Sequence, residues 1–223
     1  MLAASREKIL QRLTDDDLVL DVGGWAKPFA RADWVIDISA YETRGLYGYD
    51  EGQRATERFT KDTWAIHDIC SHEPWPFADD QFDFAICSHT LEDVRDPIRV
   101  CEELTRVAKA GYIEVPSRIE EQMWGVQGPW VGWGHHHWLS DVREDGIDFV
   151  FKHHILHGKP ELQVPHRELT PEERVSSLWW DGTFAVRERI FFEAEELEGW
   201  LRELVASQPA APRRGWRERV RRG

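Results

Sequence analysis

The sequence contains few cysteines and no long apolar run. Its three cysteines, Cys70, Cys87 and Cys101, show neither CxxC nor CxxH spacing, which predicts buried free thiols rather than a disulfide or a zinc site. The longest apolar segments are far too short to cross a bilayer. Charged residues interrupt residues 1–17 every few positions, so this segment predicts a short helix and not a signal peptide. We therefore expect a cytoplasmic protein.

Positive charge is also scarce, except at the C-terminus. The 223 residues include 28 Lys and Arg against 41 Asp and Glu, a net charge of −13, which argues against a nucleic-acid partner. Residues 213–223 alone carry +5, so residues 1–212 carry −18. Two interpretations of this basic tail stay open. It docks on an anionic membrane surface or an acidic partner, or it is a solvated and frayed terminus.

Short apolar segments alternate with helical spacing in the first half of the chain. Four segments predict strands, at residues 18–22, 34–38, 81–88 and 110–117. Between the last two, apolar residues recur at helical spacing, with Pro97 near the start and Gly111 expected as a C-cap glycine after the end. Strands that alternate with helices predict an α/β protein with a mainly parallel sheet, which binds ligands beyond the carboxyl ends of its strands.

The composition changes near residue 118. Residues 123–138, MWGVQGPWVGWGHHHW, hold four Trp, four Gly and three His, which predicts a loop or lid over the carboxyl edge of the sheet. Later, IDFVFKHHIL and FAVRERIFF are expected to be strands that complete the sheet, and EAEELEGWLRELV a closing amphipathic helix. We expect a single domain over residues 1–205 with a lid segment at about 118–140. A Pro/Ala linker and the basic tail follow over residues 206–223.

An acidic residue and two glycines follow the first predicted strand in LVLDVGGWAKPF, residues 18–29. Gly23 and Gly24 allow the backbone to turn and to approach a ligand closely, where a Cβ would intrude. Asp37 comes sixteen residues after Asp21, and its two oxygens suit ribose hydroxyls. This arrangement predicts a nucleotide-type binding turn.

These elements, taken in order, resemble a class I S-adenosylmethionine-dependent methyltransferase of the small-molecule kind. The resemblance runs from about residue 18 to residue 118 and includes HDIC at 67–70, then PFADDQFDFAICSHTLEDVRDP and CEELTRVAKAGYIEVP. It implies a Rossmann-like α/β fold with a mainly parallel seven-stranded sheet, helices on both faces and the Trp/Gly/His-rich lid. It also implies that S-adenosylmethionine is the cofactor and that a small or medium metabolite is methylated.

The resemblance also implies the residues of the cofactor site. Asp21 would accept from the turn or from the ammonium group of the ligand, Asp37 from the ribose, and Asp68 from the adenine amino group. Ile69 would pack against the adenine ring. The assigned set is Asp21, Gly23, Gly24, Asp37, Asp68, Ile69 and Ser88.

The turn departs from the DxGxGxG pattern of the family, because Trp25 and Lys27 occupy the later glycine positions. Trp25 would lie along the ligand or pack on the helix behind, and Lys27 would reach the carboxylate of the ligand. A nicotinamide dehydrogenase is a rival interpretation of the same turn. It is disfavoured because Lys27 and Pro28 replace the later glycines of GxGxxG and no second mononucleotide half is apparent.

Histidines are the candidate catalytic groups. A methyl transfer needs positioning and one base near the nucleophile. His89 follows the fourth predicted strand and is the first candidate base, with a structural histidine as the alternative. Relatives often read Leu-Glu-His where this chain has Leu91, Glu92 and Asp93, so that histidine is missing here. Glu114 would face the pocket or pair with an arginine.

The histidine triple 135–137 is the second candidate. In an extended segment His135 and His137 would point to one side, as two metal ligands would. A metal needs a third ligand, and His153, His154 or Glu121 are not convincing ones. We therefore expect no metal but a histidine that contacts the acceptor or takes its proton, while plain loop packing stays open.

Twelve tryptophans suit an acceptor with flat faces, such as a sugar, a nucleoside or an aromatic metabolite. Trp side chains in a lid also simply close over apolar neighbours. The expected reaction is methylation at oxygen of a sugar-containing or natural-product acceptor. Two alternatives stay open: an enzyme that uses S-adenosylmethionine for a non-methylating outcome, and a non-catalytic partner subunit that keeps the fold and docks through its basic tail.

Overall fold

A mixed six-stranded sheet forms the centre of the molecule. The computed structural model describes residues 1–46 and 51–209, and in these residues nine strands form two sheets. The strands are β1 (Val19–Val22), β2 (Trp34–Asp37), β3 (Trp64–Ile66), β4 (Phe84–Ser88), β5 (Ala110–Pro116), β6 (Trp138–Arg143), β7 (Gly146–Phe151), β8 (Val175–Asp181) and β9 (Ala185–Glu188). The main sheet has the order β3-β2-β1-β4-β5-β8, in which the first five strands are parallel and β8 is antiparallel to β5.

Seven helices accompany the strands in the described residues. They are α1 (Ala3–Arg12), α2 (Glu51–Arg54), α3 (Pro97–Val107), α4 (Arg118–Glu121), α5 (Ile155–Gly158), α6 (Pro171–Arg174) and α7 (Ala194–Ser207). None of the helices within these ranges has the length and apolar character needed to cross a membrane.

The sheet differs from the expected seven mainly parallel strands. The predicted strands within IDFVFKHHIL and FAVRERIFF form β7 and β9, which belong to a separate three-stranded sheet of order β6-β7-β9, with β7 paired to both of its neighbours. The main sheet instead ends on β8, which the sequence analysis missed. Ile147 and Phe149 of β7 pack into the same apolar cluster as α3, so the second sheet lies over the α3 face.

Helices cover both faces of the main sheet, as expected. Cys101 and Leu104 of α3 pack on Leu20 of β1 on one face, and Ile9 of α1 packs with Val19 on the other. Alternate residues of a strand point to opposite faces, which is why β1 contributes to both clusters. The three cysteines are free and buried, as the sequence predicted.

The helix α3 begins where the sequence placed it but ends differently. Asp96 caps it by accepting a hydrogen bond from the backbone N–H of Arg99 at 3.0 Å, and Pro97 is the first helical residue. The C-cap is Ala108 in extended conformation, whereas Gly111 lies inside β5. A Cβ on Gly111 would come within 2.4 Å of the Ala85 carbonyl oxygen and 2.6 Å of the Trp180 ring. This glycine is therefore required by the close packing between strands, and it does not terminate the helix.

The connection between the parallel strands β1 and β2 contains no α-helix. Residues 23–33 hold only a single 3₁₀ turn, Gly24–Ala26. A crossover between parallel strands usually needs a dozen or more residues to hold a helix. The binding turn therefore lacks the long helix whose N-terminal amides would otherwise face an anionic ligand group.

Candidate functional site

The glycine pair after β1 is packed against side chains of the protein itself. Gly23 has a left-handed φ of +71°, which favours glycine, and its N–H donates to the Ile36 carbonyl oxygen at 2.9 Å. A Cβ on Gly23 would come within 2.4 Å of the Thr90 side chain, and one on Gly24 within 2.3 Å of an oxygen of Asp21. Internal packing by itself therefore accounts for the two glycines.

Asp21, the last acid before this turn, is buried. Its Oδ2 accepts a hydrogen bond from the backbone N–H of Phe29 at 2.7 Å. Burial, with a further contribution from the charge of Asp37, raises the pKa of Asp21 to about 7. A cationic group placed beside Asp21 would favour its ionised form, so the residue suits an ammonium ligand group.

Asp37 ends β2 and is also buried. Its Oδ2 accepts from the backbone N–H of Trp25 at 3.1 Å and its Oδ1 from that of Ser39 at 2.7 Å. Burial raises the pKa of Asp37 despite these hydrogen bonds. Each carboxylate oxygen can accept a further hydrogen bond, so the geometry leaves acceptor capacity for two hydroxyl groups.

Trp25 is held by the loop that follows β2. Its indole Nε1–H donates to the carbonyl oxygen of Thr43 at 2.8 Å, and its own carbonyl oxygen accepts from Gly45 at 2.8 Å. The side chain packs at the edge of the apolar cluster that contains Ile9 of α1. Lys27, the other residue in place of a glycine, is exposed.

In the region predicted to contact adenine, the exposed apolar side chains are not the one that was expected. Ile69 is buried in the core, where its carbonyl oxygen accepts from the indole N–H of Trp75 at 3.0 Å. Two apolar side chains that the sequence analysis missed, Ile38 and Ile66, are 70% and 64% exposed at the carboxyl ends of β2 and β3. The position of Ile38 directly after Asp37 was the signal available in the sequence.

Asp68 is held in a hydrogen-bonded arrangement next to these isoleucines. Its Oδ1 accepts from the backbone N–H of Cys70 at 3.0 Å, and its Oδ2 lies 2.9 Å from the guanidinium of Arg95. Although partial burial opposes the effect, these hydrogen bonds lower the pKa of Asp68. Asp68 is therefore an ionised acceptor at neutral pH.

His89 follows β4 with an unusual backbone φ of +55°. Its Nε2 lies 3.2 Å from Oε1 of Glu114, and its Nδ1 lies 3.5 Å from Oε1 of Glu92. Burial lowers the pKa of His89, but the hydrogen bonds to the two carboxylates outweigh it and raise the pKa to about 9. His89 is therefore an imidazolium at neutral pH in this structure, which donates protons in hydrogen bonds and is not poised as a base.

Glu114 is fully buried and gathers several donors. Besides His89, it accepts from the Tyr112 hydroxyl at 2.5 Å and from the backbone N–H of Leu2 at 3.0 Å. The α-amino group of Met1 lies 3.2 Å away. Burial raises the pKa of Glu114, but these partners outweigh it and lower the pKa to about 2. Of the two alternatives for Glu114, a pocket-facing carboxylate or a partner of an arginine, the second does not describe these contacts, since the paired side chain is His89.

Two buried polar atoms beside His89 have no hydrogen-bond partner among the residues that the structure describes. They are Oγ of Ser88, at the end of β4, and Oε2 of Glu92. An unpaired buried polar group costs about 1–3 kcal/mol, so such atoms indicate a missing partner. The end of β4 therefore has unused hydrogen-bonding capacity at the position where the resemblance places a ligand.

The lid segment reaches the end of β4. The backbone N–H of His137 donates to the carbonyl oxygen of Glu92 at 2.8 Å, and the indole N–H of Trp138 to that of Val94 at 2.8 Å. His137, which an extended segment would place on the same side as His135, is not part of the cluster that His135 forms in the described residues. Instead the rings of His135 and His136 lie 4.5 Å apart, and Nε2 of each is 3.8 Å from Oδ1 of Asp93. Residues 134–135 form a turn, so the segment is not the regular extended chain in which His135 and His137 would share one side.

The tryptophans have different environments. Trp124 and Trp130 of the lid segment are exposed, whereas Trp179 and Trp180 alternate between the two cores of the main sheet. Trp130 lies edge-on to His157, at 5.7 Å between ring centroids. A cavity of about 580 Å³ is lined by Gln127, Trp130, Gly134, His135, His154 and His157. Its volume suits a small molecule.

One protein family matches part of the chain. Residues 36–113, about a third of the chain, match the family described as a methyltransferase domain. This match confirms the resemblance to class I S-adenosylmethionine-dependent methyltransferases. The fold is Rossmann-like α/β, and residues 36–113 within it are similar to a methyltransferase domain. No curated protein matches the chain.

Several solved structures are similar over part of their length. An S-adenosylmethionine-dependent methyltransferase from Methanosarcina mazei is 23% identical, with 50% of this chain and 57% of that chain covered and a TM-score of 0.39. One from Aquifex aeolicus is 22% identical, with 51% and 64% covered and a TM-score of 0.34. The YcgJ protein from Bacillus subtilis is 18% identical, with 52% of each chain covered and a TM-score of 0.40. The present chain thus spans less than two thirds of each of these proteins.

Proposed function

We propose that this protein binds S-adenosylmethionine and methylates a small or medium metabolite, at an oxygen atom. The observation that carries the proposal is the set of groups at the carboxyl ends of β1, β2 and β4. Buried Asp21 and Asp37 follow the first two strands, and the unpartnered Oγ of Ser88 ends the third. Ligands of open α/β sheets bind at this edge.

The residues at this edge fit the chemical groups of the cofactor. Asp21 would bind the ammonium group, because a cation compensates its buried charge. Asp37 would accept from the ribose hydroxyls with the acceptor capacity that its two backbone partners leave. Ile38 and Ile66 offer exposed apolar surface beside Asp68, which suits an adenine ring with a polar amino group. Gly23 and Gly24 shape the turn, and Ser88 supplies a further hydrogen bond.

S-adenosylmethionine, when bound, supplies an electrophilic methyl group on a sulfonium centre. The protein's own contribution is to position the acceptor and to manage one proton. His89 is the first candidate, and its carboxylate partners make it a hydrogen-bond donor at neutral pH. A base in the lid segment, with His135 and His137 as candidates, then becomes the better acceptor of a proton from the substrate.

The cavity beside the lid segment supports a small-molecule acceptor. Trp130 offers an exposed aromatic face, and His154 and His157 offer ring nitrogens on the same wall. Aromatic faces together with a few polar groups suit the rings and hydroxyls of a sugar-containing acceptor or natural product.

A second candidate function is a methyltransferase-fold protein without catalysis. It is favoured by the turn after β1, where Thr90 and Asp21 occupy the space beside the two glycines and a single 3₁₀ turn replaces a helix. Such a protein would use its fold and its basic tail to contact a partner. It would have no need to bind the cofactor.

Calorimetry with S-adenosylmethionine and with its demethylated product tests the proposal. We expect one molecule of either ligand to bind per chain. Absence of heat with both ligands, together with an unchanged melting temperature in their presence, would overturn the proposal and favour the non-catalytic alternative. Competition by adenosine for the same site would support the assignment of the β2 and β3 ends to the nucleoside half.

A further inference from the structure

Three side chains beside the end of β4 present metal-binding atoms to one point. Oδ1 of Asp93 lies 3.8 Å from Nε2 of His135 and 3.8 Å from Nε2 of His136. One ligand atom from each residue lies within 4.8 Å of the other two. Bonds of about 2.0–2.2 Å to a tetrahedral ion place its ligands roughly 3.4 Å apart. Small side-chain adjustments would therefore close the cluster around an ion.

A buried carboxylate fixes the orientation of one of these histidines. Nδ1 of His136 lies 2.7 Å from Oε1 of Glu121, and Nζ of Lys152 lies 2.6 Å from the other oxygen of Glu121. Metal-binding histidines almost always donate the second ring N–H to a carboxylate, carbonyl or water. A proton on Nδ1 leaves the lone pair of Nε2 directed toward Asp93, which is the tautomer that an ion requires.

The net charge of the cluster also suits a cation. Asp93 and Glu121 each carry a negative charge when ionised, whereas Lys152 supplies one positive charge. With neutral histidines the cluster keeps a net charge of −1. Two imidazoles and one carboxylate favour a first-row divalent ion such as Zn²⁺, Fe²⁺ or Co²⁺ over Mg²⁺ or Ca²⁺, which prefer oxygen ligands.

Backbone hydrogen bonds hold the pieces of this cluster together. The N–H of His137 donates to the Glu92 carbonyl oxygen at 2.8 Å, beside Asp93, and the N–H of Lys152 donates to the His137 carbonyl oxygen at 2.8 Å. The Lys152 ammonium also donates to the carbonyl oxygen of Trp133 at 2.8 Å. Segments distant in sequence are thus fixed to each other independently of any ion.

We propose that Asp93, His135 and His136 bind a divalent transition-metal ion, with Glu121 as a positioning residue. The side chains of Asp93 and His135 are 41% and 54% exposed, so an ion with three protein ligands would keep positions open for water or a small molecule. His135 also lines the cavity of about 580 Å³. The expectation of no metal rested on the lack of a third ligand, which Asp93 supplies.

The role of this ion rests on the proposed function, whereas the site itself does not. If the protein methylates an oxygen atom, the ion would lower the pKa of a hydroxyl group bound to it. With His135 bound to the ion, His137 is the lid histidine left to accept the proton. Loss of cofactor binding would remove that role and leave the metal site standing. Loss of metal binding would remove the site and leave the proposed methyl transfer standing.

Metal titration of the full-length, tag-free protein tests the site. After removal of metal with a chelator and dialysis, we expect one Zn²⁺ to bind per chain by calorimetry. One Co²⁺ should give visible absorption bands of a nitrogen- and oxygen-ligated ion. D93N, H135A and H136A should each weaken binding at least about tenfold. The matched control is H137A, which removes the neighbouring exposed histidine and should bind metal as the unaltered protein does.

A further variant, E121Q, tests whether Glu121 positions His136, separately from any effect on folding. We expect E121Q to weaken Zn²⁺ binding by about 10–100-fold, the usual effect of losing an orienting carboxylate, and to change the Co²⁺ spectrum. Circular dichroism and the melting temperature report whether a variant keeps its fold. The proposal is wrong if neither ion binds stoichiometrically to the unaltered protein. It is equally wrong if D93N, H135A and H136A bind both ions unchanged.

Discussion

Nε2 of His89 lies 3.2 Å from Oε1 of Glu114, a carboxylate with no solvent exposure on β5. His89 directly follows β4, which pairs in parallel with β5, and Ser88 at the end of β4 lies opposite Glu114. The carboxylate keeps the imidazole charged, and the imidazolium keeps the carboxylate ionised. This reciprocal effect decides which proton-transfer roles His89 can take.

Removal of the negative charge of Glu114 should return the pKa of His89 toward its ordinary value. E114Q is expected to lower the pKa of His89 from about 9 toward the model-compound value of 6.5. NMR titration of the imidazole ring protons measures this shift. E92Q serves as the comparison and should also lower the pKa of His89, because Glu92 acts on the imidazole both through a contact of 3.5 Å to Nδ1 and through its charge. An unchanged pKa in E114Q would contradict the assignment.

The same pair predicts a pH dependence of stability. Because the folded-state pKa of His89 is raised, its contribution is complete below about pH 6.5 and is lost as the pH rises through about 9. The depressed pKa of Glu114 contributes stability above about pH 4.5 that is lost as the pH falls through about 2. Denaturant unfolding of the unaltered protein and of H89A measures the difference. The destabilisation by H89A should be smaller at pH 10 than at pH 6, and an equal effect at both would contradict this prediction.

Asp37 should contribute directly to cofactor binding. D37A is expected to weaken S-adenosylmethionine binding by roughly 1.5–3 kcal/mol, the usual effect of losing hydrogen bonds to a charged group. Calorimetry measures the change. D62A removes an exposed acid from the turn before β3 and should leave the affinity unaltered. Equal affinity of D37A and the unaltered protein, with both folded, would exclude Asp37 from the ribose site.

The packing of Thr90 on Gly23 should be measurable as a coupling energy. G23A introduces a Cβ at a φ of +71° and within 2.4 Å of the Thr90 side chain, so it should lower the free energy of unfolding by about 2–4 kcal/mol. The matched control is G182A, where φ is +72° and a Cβ would meet nothing within 4 Å, with an expected cost of about 1 kcal/mol. In G23A/T90A, part of the loss should be recovered, and strictly additive effects would rule out the contact.

Two truncations test the boundary of the domain and its tail. The helix α7 extends to Ser207, beyond the expected domain end at residue 205, and the side-chain N–H₂ of Gln208 donates to the Leu204 carbonyl oxygen at 3.3 Å. Residues 210–223, which hold most of the linker and the basic tail, lie outside the described residues. Removal of 210–223 should leave the melting temperature and cofactor affinity unchanged. Removal of 206–223 should lower the melting temperature slightly because it shortens α7. A large loss on removal of 210–223 would show that the tail packs on the domain.

The sequence by itself determined the elements whose signal is local. The strands β1, β2, β4 and β5 follow from short apolar runs, and α3 from apolar spacing with Asp96 and Pro97 at its start. The resemblance to methyltransferases rested on these elements in order, and the family match over residues 36–113 confirms it. These features depend on neighbouring residues only, so a single chain read in order was enough to predict them.

Only the tertiary structure decided the features that depend on distant residues. The predicted strand 110–117 already included Gly111, but the packing reason for a glycine there appeared only when Trp180 of the antiparallel edge strand β8 was found against it. The raised pKa of His89 depends on Glu114, which lies on the next strand of the sheet. Likewise, Asp93 is far in sequence from His135 and His136, with which it forms a cluster. The alternation of side chains in an extended chain had instead placed His137 on the same side as His135. Charge, coordination and close packing act through space, so they become visible only when the folded chain brings these residues together.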